Sequence, residues 1–103
     1  MRTKEFAQDT DVVFAACREV VGYVGWKPVD VESDELALKA ITPPSWKSFG
    51  DKIEIQVSTE GGSTVVTVSS KPRFSLMNWG NDLANEGVFL EKLAQEIHRY
   101  SSR

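Results

Sequence analysis

The sequence predicts an α+β fold in two layers, an antiparallel sheet with two helices on one face. Three observations predict it. Ile53, Ile55 and Val57 alternate with Lys52, Glu54 and Gln56, the period of a half-buried strand. Glu60-Gly61-Gly62-Ser63 is a tight hairpin signal that returns the chain alongside. Apolar residues recur at helical spacing near both ends of the chain. The order of elements reads β-α-β-β-β-β-α, in one domain spanning residues 1–103.

Thr3 to Ala7 reads as a short first strand. Asp9, Thr10 and Asp11 then supply N-cap candidates and acidic charge for a helix start. Val13, Ala16, Cys17, Val20, Val21 and Val24 form that helix's apolar stripe, and Gly22 and Gly25 weaken and end it. Trp26 to Glu32 alternates, with Lys27, Val29 and Val31 on one parity. Pro28 confines this strand to an edge or a bulge, because it offers no N–H to a ladder. Ser33-Asp34 makes a tight turn, after which Leu36, Leu38 and Ala40 share one face of the next strand. Thr42-Pro43-Pro44-Ser45 interrupts the sheet before the Ile53 ladder, and Val66 and Val68 continue that ladder on the returning strand. Leu83 to Tyr100 is the last helix, with Leu90, Leu93, Ala94 and Ile97 facing inward.

Composition narrows the function classes. Hydrophobic content of 41% and charged content of 26% match an ordinary globular protein. A net charge of −3 speaks against a dedicated nucleic-acid binder, which needs a basic surface to neutralise phosphates. A single cysteine forms no internal disulfide, and no cysteine or histidine cluster offers a metal site. The N-terminal stretch has no apolar signal core, and no apolar run is long enough to span a bilayer. The expectation is a cytoplasmic protein without a cofactor.

A meander of the four later strands sorts the loops into two ends. One end gathers Trp26, Trp46 and Trp79, all the tryptophans of the chain, together with Phe49 and Phe74. The same end holds five basic residues, Lys27, Lys47, Lys52, Lys71 and Arg73, against two acidic ones, Asp51 and Asp82. The opposite end carries Glu32, Asp34, Glu35 and Glu60. Tryptophan and arginine combine large contact area with a polar handle, the chemistry of an interface. The start of the last helix adds N–H groups that can hold an anion. The plainer reading is that the tryptophans close one end of a small core and that the basic residues are a solvated rim.

Ala40 to Ile55, with Thr42-Pro43-Pro44-Ser45-Trp46 and Gly50-Asp51 within it, resembles a pattern in small bacterial α+β proteins of unknown function. There a strand ends in a serine-rich aromatic loop, and a glycine-acid pair opens the next strand. Val68-Ser69-Ser70-Lys71-Pro72-Arg73, then Asn78-Trp79-Gly80 and Asn85, resembles a second block of the same proteins. A more distant likeness is to a bacterial and plastid domain family of unknown function. The resemblance spans most of the chain and implies the same element order, with no established activity. The chain departs from the pattern at Asn78, where an aspartate is expected, and at Asp82, where an asparagine is expected.

The first functional expectation is a non-catalytic binding or protein-interaction module. Its candidate site residues are Trp46, Lys47, Phe49, Lys71, Arg73, Asn78, Trp79 and Asp82. They would receive an acidic peptide, a protein or an anionic small molecule. The second is a small enzyme acting on a polar or anionic substrate, with Asp51 or Asp82 as base and Lys47 or Arg73 stabilising charge. The third is a homodimer formed through the uncovered sheet face, where Ala37, Ile41 and Val65 are apolar, or through an edge strand. Cys17 lies on an apolar stripe and reads as a small buried hydrophobe. His98 sits near a helix C-terminus, without a nucleophile placed for a dyad.

Overall fold

The structure is a computed structural model that describes residues 1–43, 50–72 and 81–101, excepting the side chains of 72, 81–84 and 100–101. Its elements are β1 (Arg2–Phe6), α1 (Thr10–Tyr23), β2 (Lys27–Glu32), a 3-10 turn (Ser33–Glu35), β3 (Ala37–Ile41), β4 (Asp51–Glu60), β5 (Ser63–Pro72) and α2 (Asn81–Ser101). The five strands form one antiparallel sheet in the order β1-β5-β4-β3-β2. The expected element order is thus the observed one, and β2 to β5 form the meander. β1 crosses over through α1 to β2, so the first and second strands end up on opposite edges.

Alternation decides which face is covered. Leu38, Ala40, Ile53, Ile55, Val57, Val66 and Val68 point to one side and are buried there. They meet Val13, Phe14, Ala16, Cys17, Val20 and Val21 of α1 and Phe89, Leu90, Leu93 and Ile97 of α2 in one core. Removing this apolar surface from water is the main force holding the layers together, at about 25 cal/mol per Å². Gly61 and Gly62 have φ of +58° and +84°, which places the two-residue hairpin in the turn type whose twist matches its strands. That turn sets Glu60 opposite Ser63 and carries a regular register back to Asp51 opposite Pro72.

Four details differ from the sequence expectation. Lys27 and Val31 do not share a parity, because the register shifts between Pro28 and Asp30. A bulge there adds a residue and turns Val31 toward the helix side, opposite Leu38. Leu36 lies outside β3: it closes the 3-10 turn in the left-handed region at φ +53°. Val65, expected as an exposed apolar residue of the uncovered face, is only 6% exposed. Finally, Asp9 occupies the N-cap of α1 without a side-chain cap bond.

The turn end is acidic as the meander implies. Gln56 fastens it by donating to the Glu35 carbonyl at 2.8 Å. There the carboxyl of Glu32 is held above its ordinary range by a hydrogen bond and charge repulsion from Glu35, with repulsion from Asp30 adding. The native state therefore binds the Glu32 proton more tightly than the unfolded chain does. The resulting stability is fully present below the ordinary glutamate pKa and is lost as pH rises through the raised one. The thermal midpoint of the wild type should fall across that window at low salt, and Glu32→Gln should flatten this fall in a pH series of melts. Because the group is exposed, added salt should shrink the difference.

Candidate functional site

The end of the sheet opposite the acidic turns is where β3 stops, β4 starts and β5 stops. Two different surfaces meet there. On the helix side lies a buried polar lock. Thr42 and Asp51 exchange two bonds: the Thr42 N–H donates to the Asp51 carbonyl at 3.0 Å, and the Asp51 N–H donates to Thr42 Oγ1 at 2.7 Å. Asn85, on α2, donates through Nδ2 to Asp51 Oδ2 at 2.7 Å and to Ser70 Oγ at 3.2 Å. The Ser70 N–H donates to Glu86 Oε2 at 3.0 Å, and the ammonium of Met1 lies 3.0 Å from the same oxygen. Strands β1, β3, β4 and β5 and helix α2 are thereby tied at one point.

Burial makes this lock matter, because a buried polar group costs free energy unless it is hydrogen-bonded. Asp51 is 4% exposed and Glu86 1%. Glu86 Oε1 has no hydrogen-bond partner among the described residues. Gly50 precedes the lock with φ +103°, a conformation other residues rarely adopt. A Cβ at Gly50 would sit 2.7 Å from the Thr42 carbonyl oxygen, so the backbone passes closer than any side chain permits.

On the uncovered side of the same end lies a row of cations. The register sets Lys27 opposite Ile41, Ile41 opposite Lys52, and Lys52 opposite Lys71. All three lysines are exposed. None of them makes an ion pair among the described residues. Asp51 does not neutralise them, since its carboxylate faces the helices. Like charges directly opposite one another on a sheet raise the free energy of the face until a counter-charge arrives. Lys39, Glu54, Val29 and Ile41 line a shallow depression of about 210 Å3 next to Lys52. Toward the other end Asp30 and Glu54 flank Lys39, and the charge of the face turns negative.

Of the expected site residues, Lys71 falls in this row. Asp82 belongs to the first turn of α2, and its side chain lies outside the described residues. Trp46, Lys47, Phe49, Arg73, Asn78 and Trp79 also lie outside them. Lys52, expected as a solvated face residue beside Lys71, is exposed and directly opposite it. For Trp26 the plainer of the two expectations holds: it closes the core, is 8% exposed and stacks on Phe89 with ring centroids 5.7 Å apart. Asp51, expected to open the next strand and as a candidate base, is the first residue of β4 and accepts a bond from Asn85. Asn85 stands one helical turn after Asp82. Cys17 is fully buried, and burial pushes its thiol up to about 12, which leaves no thiolate at neutral pH. His98 is exposed on α2.

Sequence reading missed Glu86, although a signal existed. Glu86, Leu90, Leu93 and Ile97 follow one another at spacings of four, three and four on a single helix face. A charged residue on an apolar stripe marks a buried polar contact. No protein-family model matches the chain, and comparison with curated proteins finds no similar sequence. No helix among the described residues is long and apolar enough to cross a membrane.

Proposed function

We propose that this chain is a non-catalytic binding module that takes an anionic partner at the lysine-bearing end of its uncovered sheet face. The observation that carries the reading is the cross-strand row Lys27, Lys52 and Lys71, exposed and without an ion pair among the described residues. An acidic peptide segment, of a protein or free, supplies the missing counter-charge over a length of several strands. Ile41 and Val29 supply apolar contact beside it. Trp46, Lys47, Phe49, Arg73, Asn78 and Trp79 lie in the sequence between β3 and β4 and between β5 and α2, and would complete the site. The buried lock of Thr42, Asp51, Ser70 and Asn85 supports the reading in a second way, since it fixes the strand ends that present the lysines. The reading places the protein in the cytoplasm, a compartment suited to its unpaired buried cysteine.

Charge reversal tests it. Lys52→Glu and Lys71→Glu should each weaken binding of an oligoglutamate peptide at least tenfold and reduce its salt dependence. Trp46→Ala and Arg73→Ala should weaken it as well. Binding that ignores all four substitutions would overturn the reading.

A further inference from the structure

A second surface is built independently of the lysine row. Among the described residues the sheet has two open edges, and they are not alike. The β2 edge is blunted by Pro28, by the bulge and by the acidic residues Asp30 and Glu32. The β1 edge has no proline, and its five residues run in unbroken register with β5 from Arg2–Val68 to Phe6–Thr64. One side of β1 is paired with β5, and the other is open among the described residues.

The side chains of β1 carry a pattern. Arg2, Lys4 and Phe6 stand opposite Val68, Val66 and Thr64, all buried, so they share the helix side of the sheet. Yet Arg2 and Lys4 are exposed, because α2 packs over β5 and leaves β1 largely uncovered. A groove of about 620 Å3 runs between β1 and α2, lined by Arg2, Lys4, Gly87, Leu90, Glu91 and Ala94. Gly87 makes room for Arg2: a Cβ there would lie 3.2 Å from the Arg2 guanidinium. Arg2 and Lys4 make no ion pair among the described residues, Glu91 included. The groove thus combines an open backbone edge, a small-residue floor and two cations spaced two residues apart.

We propose that β1 accepts an extended acidic peptide as a sixth antiparallel strand. Directly opposed residues of an antiparallel pair lie on the same face, and that face repeats every second residue. The guest strand therefore presents an apolar residue opposite Phe6, an acid opposite Lys4 and an acid opposite Arg2. Read from its own N-terminus, the guest has the pattern apolar-x-Glu-x-Glu. Main-chain bonds to β1 supply affinity, and the two acids in the groove supply register. This site is distinct from the lysine row, which lies on the other face.

The test titrates the full isotope-labelled chain with a capped peptide carrying apolar-x-Glu-x-Glu. A second peptide of the same composition has its glutamates made adjacent. The first should shift the amides of β1 and of Gly87, Leu90 and Ala94, slow hydrogen exchange along β1, and bind at least tenfold more tightly than the second. Arg2→Glu and Lys4→Glu should each lower that affinity tenfold. Both substituted positions are exposed, and unshifted core amides would verify the fold. Equal binding of the two peptides, shifts confined to the lysine row, no binding, or a doubled mass showing that a second copy holds the edge would each overturn the proposal.

Discussion

Phe89→Ala should cost about 3–5 kcal/mol of stability, the range for truncating a fully buried aromatic side chain. Phe89 is 0% exposed and lies at the meeting of both helices and the sheet. Its ring stacks on Trp26 at an interplanar angle of 15°, and such pairs add about 0.5–1.5 kcal/mol beyond area burial. The core around it is built of buried side chains from both helices and the sheet, so relaxation is limited and a cavity remains. Domains of this class are stable by roughly 5–15 kcal/mol in total, so this one change removes a large fraction. Chemical denaturation should show a much lower midpoint with an unchanged slope. Phe89→Leu, which keeps most of the packing, should lose less. A Phe89→Ala variant as stable as the wild type would mean that the ring is not in the core.

Gly50→Ala should be the most damaging glycine substitution among the described residues. The residue holds φ +103°, and strained backbone of this kind costs a residue with a side chain about 1–3 kcal/mol. A steric penalty adds to that, because the new Cβ would meet the Thr42 carbonyl oxygen at 2.7 Å and Ile41 Cγ2 at 3.3 Å. The carbonyl cannot yield freely, since Thr42 and Asp51 are joined by two bonds through backbone and hydroxyl. Gly22→Ala is the matching control. Gly22 lies inside α1 with nothing within 4 Å of the added Cβ, so alanine should stabilise by about 0.4–1 kcal/mol. Melting curves of the two variants should move in opposite directions. Equal shifts would contradict the close approach at the lock.

Much of this architecture is legible in the sequence for reasons that can be named. The Gly61-Gly62 turn fixes the β4–β5 register, so Lys52 opposite Lys71 follows from the turn alone. The period-2 ladder at Ile53, Ile55 and Val57 fixes which face of β4 is covered. Lys27 was not placeable in the same way, because the bulge after Pro28 shifts the pairing by one residue, and no local signal states its size. The lock was half visible. Gly50, Asp51, Ser70 and Asn85 stand out as a motif, but their convergence depends on how α2 sits over β4 and β5. Glu86 was hidden by the ordinary expectation that charge on a helix faces water. Trp26 has two readings in the sequence because position at a loop end says nothing of depth; its ring turns inward onto Phe89.

We propose the lysine row as a site for anionic chains. The most direct measurement follows the backbone amides of the wild-type chain by NMR while an oligoglutamate peptide is added, at low and at high salt. Shifts are expected at Lys27, Ile41, Lys52 and Lys71 that saturate at low salt and fade at high salt. Amides of the row that stay fixed, or shifts there that salt does not weaken, would contradict it.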